Sequence, residues 1–230
     1  MKCFLYILLF ITCFIGQYDV AFATNYASKR IIRYVDRIPQ KAETSLTTLV
    51  SQIIKPLDDD YDKAKAIAFW IAGHIKYDEY YYHDGKATRL INNYNGQKPQ
   101  DLLKSKVGIC GDFAAMFKAM CHIAGIKAEV ISGYAYPGSK KPRSSELSNS
   151  RHAWNYFYYK SKKIYVDTTF MTKGRTGIKG SGNSLAHRKA LYDIKKDNHY
   201  HNNVNDYDVF YFDFDYKEEP KKRNYTHSER

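Results

Sequence analysis

The sequence predicts an α+β fold, because helical patterns come first along the chain and strand patterns follow them. Apolar residues recur at helical spacing over 44–54 and 61–76, and Pro56 separates the two helices. A third helix is predicted to end at Gly125. The segments after it are rich in β-branched and aromatic residues, which favour strands. The predicted strands cover 127–136, 151–158, 162–169 and 209–214.

The first 23 residues have the pattern of a signal peptide. Lys2 is followed by an apolar run over 4–15, which is too short for a bilayer span of ~20 residues. The segment Ala21-Phe22-Ala23 then matches the small-x-small cleavage pattern. We therefore expect a secreted or periplasmic protein whose mature chain starts at Thr24 and has no transmembrane segment.

The elements before the third helix follow from local signals. Residues 24–40 are predicted to form an extended lead-in to the first helix. Asp58–Asp60 supply the acidic N-terminus of the second helix, which is expected to bury one apolar stripe with Trp70 at its edge. A short helix is predicted over 99–104.

The third helix begins with a cysteine. Cys110 follows Gly108 and precedes an apolar run through Phe113 and Phe117. The free N–H groups and the dipole at a helix N-terminus favour a thiolate, which is the nucleophilic form of cysteine. The structural alternative is a buried cysteine that acts as a small hydrophobic residue.

Cys110 has no disulfide partner in the expected mature chain. Signal cleavage leaves only Cys110 and Cys121, which lie 11 residues apart on one predicted helix. At ~1.5 Å per residue their Cα atoms are ~16 Å apart, whereas a disulfide needs ~7 Å or less. We expect two free thiols, with Cys121 filling the core.

The two strands after residue 150 are predicted to form a hairpin. A turn centred near Tyr159-Lys160 places His152 directly opposite Asp167, and Trp154 opposite Tyr165. Opposed residues point to the same face of a sheet, with Cβ atoms ~5 Å apart. This register brings an imidazole and a carboxylate together, whereas a slip by one residue would separate them.

These residues form a candidate catalytic set. A cysteine nucleophile needs a base, and the base needs an orienting group. Cys110, His152 and Asp167 fit these three roles, and the backbone N–H of Cys110 would donate to an oxyanion. The other histidines are weaker candidates because of where they lie: His74, His83, His122, His187, His199 and His201.

Composition points to one domain and acidic partners. The net charge of +12 suggests an anionic cell-envelope surface or an acidic partner, although a solvated basic face is a common alternative. No nucleic acid and no cofactor are expected. No metal is expected either, because the pair His199 and His201 lacks a clear third ligand. The predicted organisation is a lead-in and helix over 24–57, one domain over 58–216, and a charged flexible tail over 217–230.

Three stretches together resemble the transglutaminase-like superfamily, nearest to the branch that includes kyphoscoliosis peptidase. They are Gly108–Ala114, His152–Asn155 and Tyr165–Thr169. The resemblance covers about residues 60–170 and keeps the order and spacing of the triad. Where many members have tryptophan, this chain has Phe170, and the usual tryptophan before Tyr165 is missing.

The resemblance implies a papain-like α+β fold with the cysteine helix packed on an antiparallel sheet. It implies attack on a peptide or side-chain amide, a thioester intermediate, and transfer to an amine or to water. Carried over, Cys110 is the nucleophile, His152 the base and acid, and Asp167 the orienter. Tyr77 matches the place of an oxyanion donor. We expect hydrolysis rather than crosslinking, because the chain lacks room for the extra domains of crosslinking transglutaminases. The alternatives are a crosslinker and a non-catalytic envelope scaffold that retains the triad.

Overall fold

The computed structural model describes residues 28–78, 96–136, 151–171 and 212–213, together with the backbone of 224–226. Helices occupy most of the first half of the described chain and strands most of the second. The helices are α1 (28–35), a 3-10 helix (Gln40–Thr44), α2 (Leu46–Ile54), α3 (Asp60–His74), α4 (Pro99–Ser105) and α5 (Cys110–Ile123).

The strands form two sheets. The short strands β1 (Lys76–Tyr77) and β2 (Val107–Gly108) pair in parallel. The larger sheet is antiparallel, in the order β5-β4-β3-β6. Its strands are β3 (Ala128–Tyr136), β4 (Arg151–Tyr159), β5 (Lys162–Val166) and β6 (Asn224–Thr226).

The α5 helix lies at the centre of the fold. It packs on β3 and β4 of the larger sheet, and α2 and α3 pack against it in turn. The rings of Phe117 in α5 and Phe157 in β4 meet with centroids 6.4 Å apart. The predicted α+β fold, with a cysteine-bearing helix on an antiparallel sheet, is confirmed.

Side chains cap the N-termini of α2 and α3, and the cap of α3 lies in the acidic run predicted to begin it. Ser45 precedes α2, and its hydroxyl accepts a hydrogen bond from the N–H of Thr48 at 3.1 Å. Asp59 precedes α3, and its carboxylate accepts from the N–H of Tyr61 at 2.9 Å. Each side chain satisfies a backbone donor that the first helical turn leaves unpaired.

The predicted extended lead-in is wrong, since residues 28–35 are helical. Ile31, Ile32 and Val35 are buried, and their spacing places them on one side of a helix. β-Branched residues favour strands in isolation, and here their packing in the core overrides that preference.

The single buried stripe predicted for α3 is also wrong. Every residue from Ala64 to Gly73 is buried. Trp70 does not lie at an exposed edge, because the Lys106 ammonium sits 4.6 Å from its ring centroid and the His74 ring stacks on it at 4.5 Å. Lys106 is itself paired with Glu43 at 2.7 Å. This ion pair lies over Trp70, and Phe212 packs against Phe69 elsewhere on α3.

The hairpin is present, but its predicted register is wrong by two residues. Tyr165 pairs with Tyr156, not with Trp154. The two-residue loop is Lys160-Ser161, and both residues have positive φ, at 47° and 65°. Two positive φ values are typical of the type I′ turn, whose twist matches that of the strands. A shift of two residues leaves each side chain on the face predicted for it.

The tail also differs from its prediction, since Asn224–Thr226 pair with β3. Of the predicted strand at 209–214, the structure describes Phe212 and Asp213, and Phe212 bridges to Val166. The predicted signal peptide lies outside the described residues, and so do His83, His187, His199 and His201. Within the described ranges, no helix is both long and apolar enough to cross a bilayer.

Candidate active site

Cys110 is the first residue of α5. Asp112, in the same turn, accepts hydrogen bonds from the N–H groups of Ile109 at 2.9 Å and Gln97 at 2.8 Å. The first of these is the return bond of a capping box, made by an acidic residue at the third helical position. Asp112 therefore fixes the backbone immediately before the cysteine.

The turn before Cys110 requires a glycine. A Cβ at Gly108 would lie 2.7 Å from Leu102 Cδ1 and 2.8 Å from Asp112 Oδ2. Both distances are below van der Waals contact. The absence of a side chain allows α4 and the first turn of α5 to approach β2 this closely.

His152 and Asp167 meet across the hairpin. His152 Nε2 lies 2.7 Å from Asp167 Oδ2, and both side chains are buried. Asp167 follows the last residue of β5, and Val166 pairs with Asn155, so His152 and Asp167 are diagonal rather than direct neighbours. The other carboxylate oxygen, Oδ1, accepts from the N–H of Phe170 at 3.0 Å.

Two aromatic rings pack against the histidine. The Phe170 ring stacks on the imidazole with centroids 4.3 Å apart and planes at 11°. The Trp154 ring lies 6.0 Å away at 16°. These contacts and the Asp167 carboxylate fix the plane of the imidazole.

The structure also brings the Cys110 side chain close enough to His152 to contribute to the pKa of the imidazole. Since Nε2 is engaged by Asp167, Nδ1 is the ring nitrogen left for the thiol. Burial would lower the pKa of His152, but the Asp167 carboxylate and the Cys110 thiol outweigh it and raise the pKa to about 9. The imidazole therefore carries a proton at neutral pH.

Tyr77 lies beside the cysteine turn. It pairs with Gly108 in the parallel β1–β2 sheet, two residues before Cys110, and is half-buried. Its ring centroid is 6.4 Å from that of Phe113 in the first turns of α5. The residue predicted as an oxyanion donor is thus placed at the start of the cysteine helix.

The other cysteine among the described residues, Cys121, lies apart from Cys110, His152 and Asp167. Cys121 is a free thiol in the core, and burial raises its pKa far above the ordinary value. In the described parts of the chain, no three His, Cys, Asp or Glu side chains are close enough to hold a metal ion.

Asp112 and Asn155 are parts of this region to which the sequence analysis gave no role. The spacing of Asp112 from the helix start is the signal of a capping box and could have identified it. Asn155 is a polar residue in an apolar strand, and its signal is its burial, which only the fold reveals.

Comparison with known proteins gives a family match over the same region. Residues 47–168 match the family model of the transglutaminase-like superfamily. Kyphoscoliosis peptidase from Homo sapiens is 29% identical over 129 residues, which are 56% of this chain and 18% of that protein. Hillarin from Drosophila melanogaster is 28% identical over 129 residues, covering 54% of this chain and 15% of that protein.

A solved structure is similar to this chain at a lower sequence identity. The periplasmic domain of TgpA from Pseudomonas aeruginosa is 19% identical and has a TM-score of 0.40, covering 61% of this chain and 47% of that one. The chain spans less than a fifth of the length of the two curated relatives. The family model, however, covers more than half of this chain and includes Cys110, His152 and Asp167. The chain belongs to the transglutaminase-like superfamily.

Proposed function

We propose that this chain is a cysteine enzyme that acts on peptide or side-chain amides through Cys110, His152 and Asp167. The observation that carries the proposal is the placement of His152 between the Asp167 carboxylate and the thiol that begins α5. A nucleophile, a base that bonds it, and a group that orients the base make up the arrangement of covalent acyl-transfer catalysis.

The reaction follows from the protonation of the site. With its pKa raised to about 9, the His152 imidazole is protonated at neutral pH and can act as the acid. Cys110 is proposed to react as the thiolate beside it. The thiolate attacks the amide carbonyl carbon, and the imidazolium gives its proton to the departing amine as the C–N bond breaks. A thioester remains on Cys110. Water then attacks it while His152 accepts a proton, and the acid product leaves as the thiolate is restored.

Two groups are proposed to stabilise the oxyanion of each tetrahedral intermediate. The first is the backbone N–H of Cys110. It lies before Asp112, whose N–H makes the first hydrogen bond of the α5 turn, to the carbonyl of Ile109. The second is the hydroxyl of Tyr77, from the paired strand beside the same turn. Donors of this kind act where negative charge develops and are often the largest single contribution to catalysis.

Hydrolysis is proposed over transfer to an amine. The name of the kyphoscoliosis peptidases, which are 27–29% identical to this chain, supports this choice. Incubation with a glutamine peptide and a fluorescent amine tests it. Release of the free acid without amine incorporation is expected, whereas incorporation would show a crosslinking activity.

Export is proposed from the pattern of residues 1–23. Mature protein from the periplasm or medium is expected to begin at Thr24, which N-terminal sequencing checks. The excess of basic residues supports an anionic envelope surface as the place where substrate peptides are met.

The enzyme assignment is tested by trapping the thioester. Denaturing mass spectrometry after reaction with an activated ester is expected to show one acyl adduct on Cys110, and Cys110→Ala should show neither adduct nor turnover. Cys121→Ala is the control and should keep both. Unchanged turnover in Cys110→Ala would refute the assignment. Absence of both adduct and turnover in the wild type across peptide and ester panels would favour the scaffold.

A further inference from the structure

Asn155 connects the cysteine helix to the histidine strand. Its side chain is fully buried. The amide nitrogen Nδ2 donates to the carbonyl of Ala114 at 2.9 Å and to the carbonyl of Glu129 at 3.1 Å. One amide group thereby joins three elements, α5, β3 and β4.

The position of this link relates it to the reacting groups. Ala114 lies four residues after Cys110, about one helical turn along α5. Asn155 lies three residues after His152 on β4. The link therefore joins α5 about one turn after Cys110 to β4 three residues after His152.

Burying Asn155 in a strand costs stability, and this cost indicates that the hydrogen bonds from its amide N–H groups have a function. Asn155 Oδ1 is buried and has no hydrogen-bond partner among the described residues. A buried polar atom without a partner destabilises the fold, whereas an apolar side chain of the same shape would avoid that cost. Asparagine is also disfavoured in strands. Packing alone would favour leucine at this position.

We propose that Asn155 is a positioning residue for the reaction. Its amide holds the first turns of α5 at the distance from β4 that places the Cys110 thiol beside the His152 imidazole. The inference rests on the proposed function. It adds a fourth residue, which touches neither the thiol nor the substrate and acts through the spacing of two elements.

The test compares Asn155→Leu with Phe157→Leu in the full chain. Leucine has nearly the shape of asparagine but donates no hydrogen bond. Phe157 is the control because it lies on the same strand and packs on Phe117 of α5, so its truncation weakens the same interface and leaves the amide link intact. Melting temperature, kcat and KM for an activated ester, and the pH profile of Cys110 alkylation by iodoacetamide are measured for each.

A positioning role predicts a selective loss. In Asn155→Leu we expect kcat to fall about tenfold to a hundredfold, the scale on which ~1 Å of misplacement acts. KM should stay near that of the wild type, and Cys110 alkylation below pH 7 should fall in step with kcat. Phe157→Leu should lower the melting temperature but keep the pH profile. Asn155→Ser retains one hydroxyl donor, so its kcat and its Cys110 alkylation should lie between those of the wild type and Asn155→Leu. If the leucine variant does not fold, the serine variant is used for the test.

Two results would contradict the inference. One is a folded Asn155→Leu with the wild-type pH profile and kcat. The other is the same change of profile in Phe157→Leu at an equal loss of melting temperature, which would make the effect one of general stability. A wild type whose Cys110 already titrates like an ordinary thiol contradicts the proposed function instead, so the two failures are distinguishable.

Discussion

At the scale of single residues, the site depends on how one histidine is held. His152 is buried, and burial alone favours its neutral form. The Asp167 carboxylate, 2.7 Å away, reverses that preference, and the thiol of Cys110 acts in the same direction. The Phe170 ring stacks on the imidazole with centroids 4.3 Å apart and so holds its plane.

Removal of the Asp167 charge is expected to lower the pKa of His152. In Asp167→Asn the amide keeps the shape of the carboxylate but carries no charge to oppose the effect of burial. An adjacent opposite charge moves a pKa by roughly 1–3 units. We expect the histidine pKa to fall from about 9 by this amount, so that the imidazole loses its proton near neutral pH. NMR titration of the His152 ring measures this. An unchanged pKa would show that Asp167 does not control the charge of the histidine.

At the scale of elements, the start of α5 depends on close contacts around Gly108 of β2. The side chains of Leu102 in α4 and Asp112 in the first turn of α5 both approach this glycine. The Asp112 carboxylate accepts hydrogen bonds from the N–H groups of Gln97, before α4, and Ile109, before α5. The position of Cys110 therefore depends on the packing of β2 and α4 around Gly108 as well as on its own helix.

Two glycines that flank Cys110 are expected to respond oppositely to alanine. Gly108→Ala would place a Cβ 2.7 Å from Leu102 Cδ1, so it should destabilise the fold by roughly 1–3 kcal/mol through overpacking. A Cβ at Gly111 meets nothing within 4 Å, and alanine is a better helix former there by roughly 0.5–1 kcal/mol. Urea unfolding of both variants tests the pair. Equal free energies of unfolding for the two variants would mean that the close approach at Gly108 is absent.

The elements also show where sequence reasoning reaches its limit. The start of the cysteine helix and the faces of the hairpin strands were predictable, because caps and alternation are local signals. The hairpin register was not, since Lys160 and Ser161 adopt positive φ without the glycine or asparagine that usually announces such a turn. The amide link from Asn155 was also hidden, because its partners lie 41 and 26 residues away along the chain.

At the scale of the whole molecule, α3 is the buried centre of the helical half. It contacts α2, α5 and β4, and Lys106 covers the ring of Trp70 on another side. The amphipathic pattern of α3 predicts one buried side only. Its other sides are covered by parts of the chain that are distant in sequence, which no local periodicity reveals.

Truncation of the α3 core is expected to be costly. Ile67 is fully buried, and Ile67→Ala should lower the free energy of unfolding by ~2–5 kcal/mol, because it leaves a cavity. Ile123, at the end of α5, is 40% exposed, so Ile123→Ala should change stability by about 0.5 kcal/mol or less. Denaturant unfolding compares the two. A small effect at Ile67 would contradict the burial of residues 64–73 of α3.

The central claim, that Cys110 is held as a nucleophile by His152, is tested most directly by its reactivity as a function of pH. Iodoacetamide labelling of the full chain is followed peptide by peptide between pH 5 and 10, with buried Cys121 as the internal reference. An ordinary cysteine has a pKa of ~8.5 and labels slowly below it. Strong labelling of Cys110 at pH 6 is expected, and it should be lost in His152→Gln, with Cys121 unlabelled throughout. Labelling of Cys110 that rises only near pH 8.5, and equally in both proteins, would contradict the central claim.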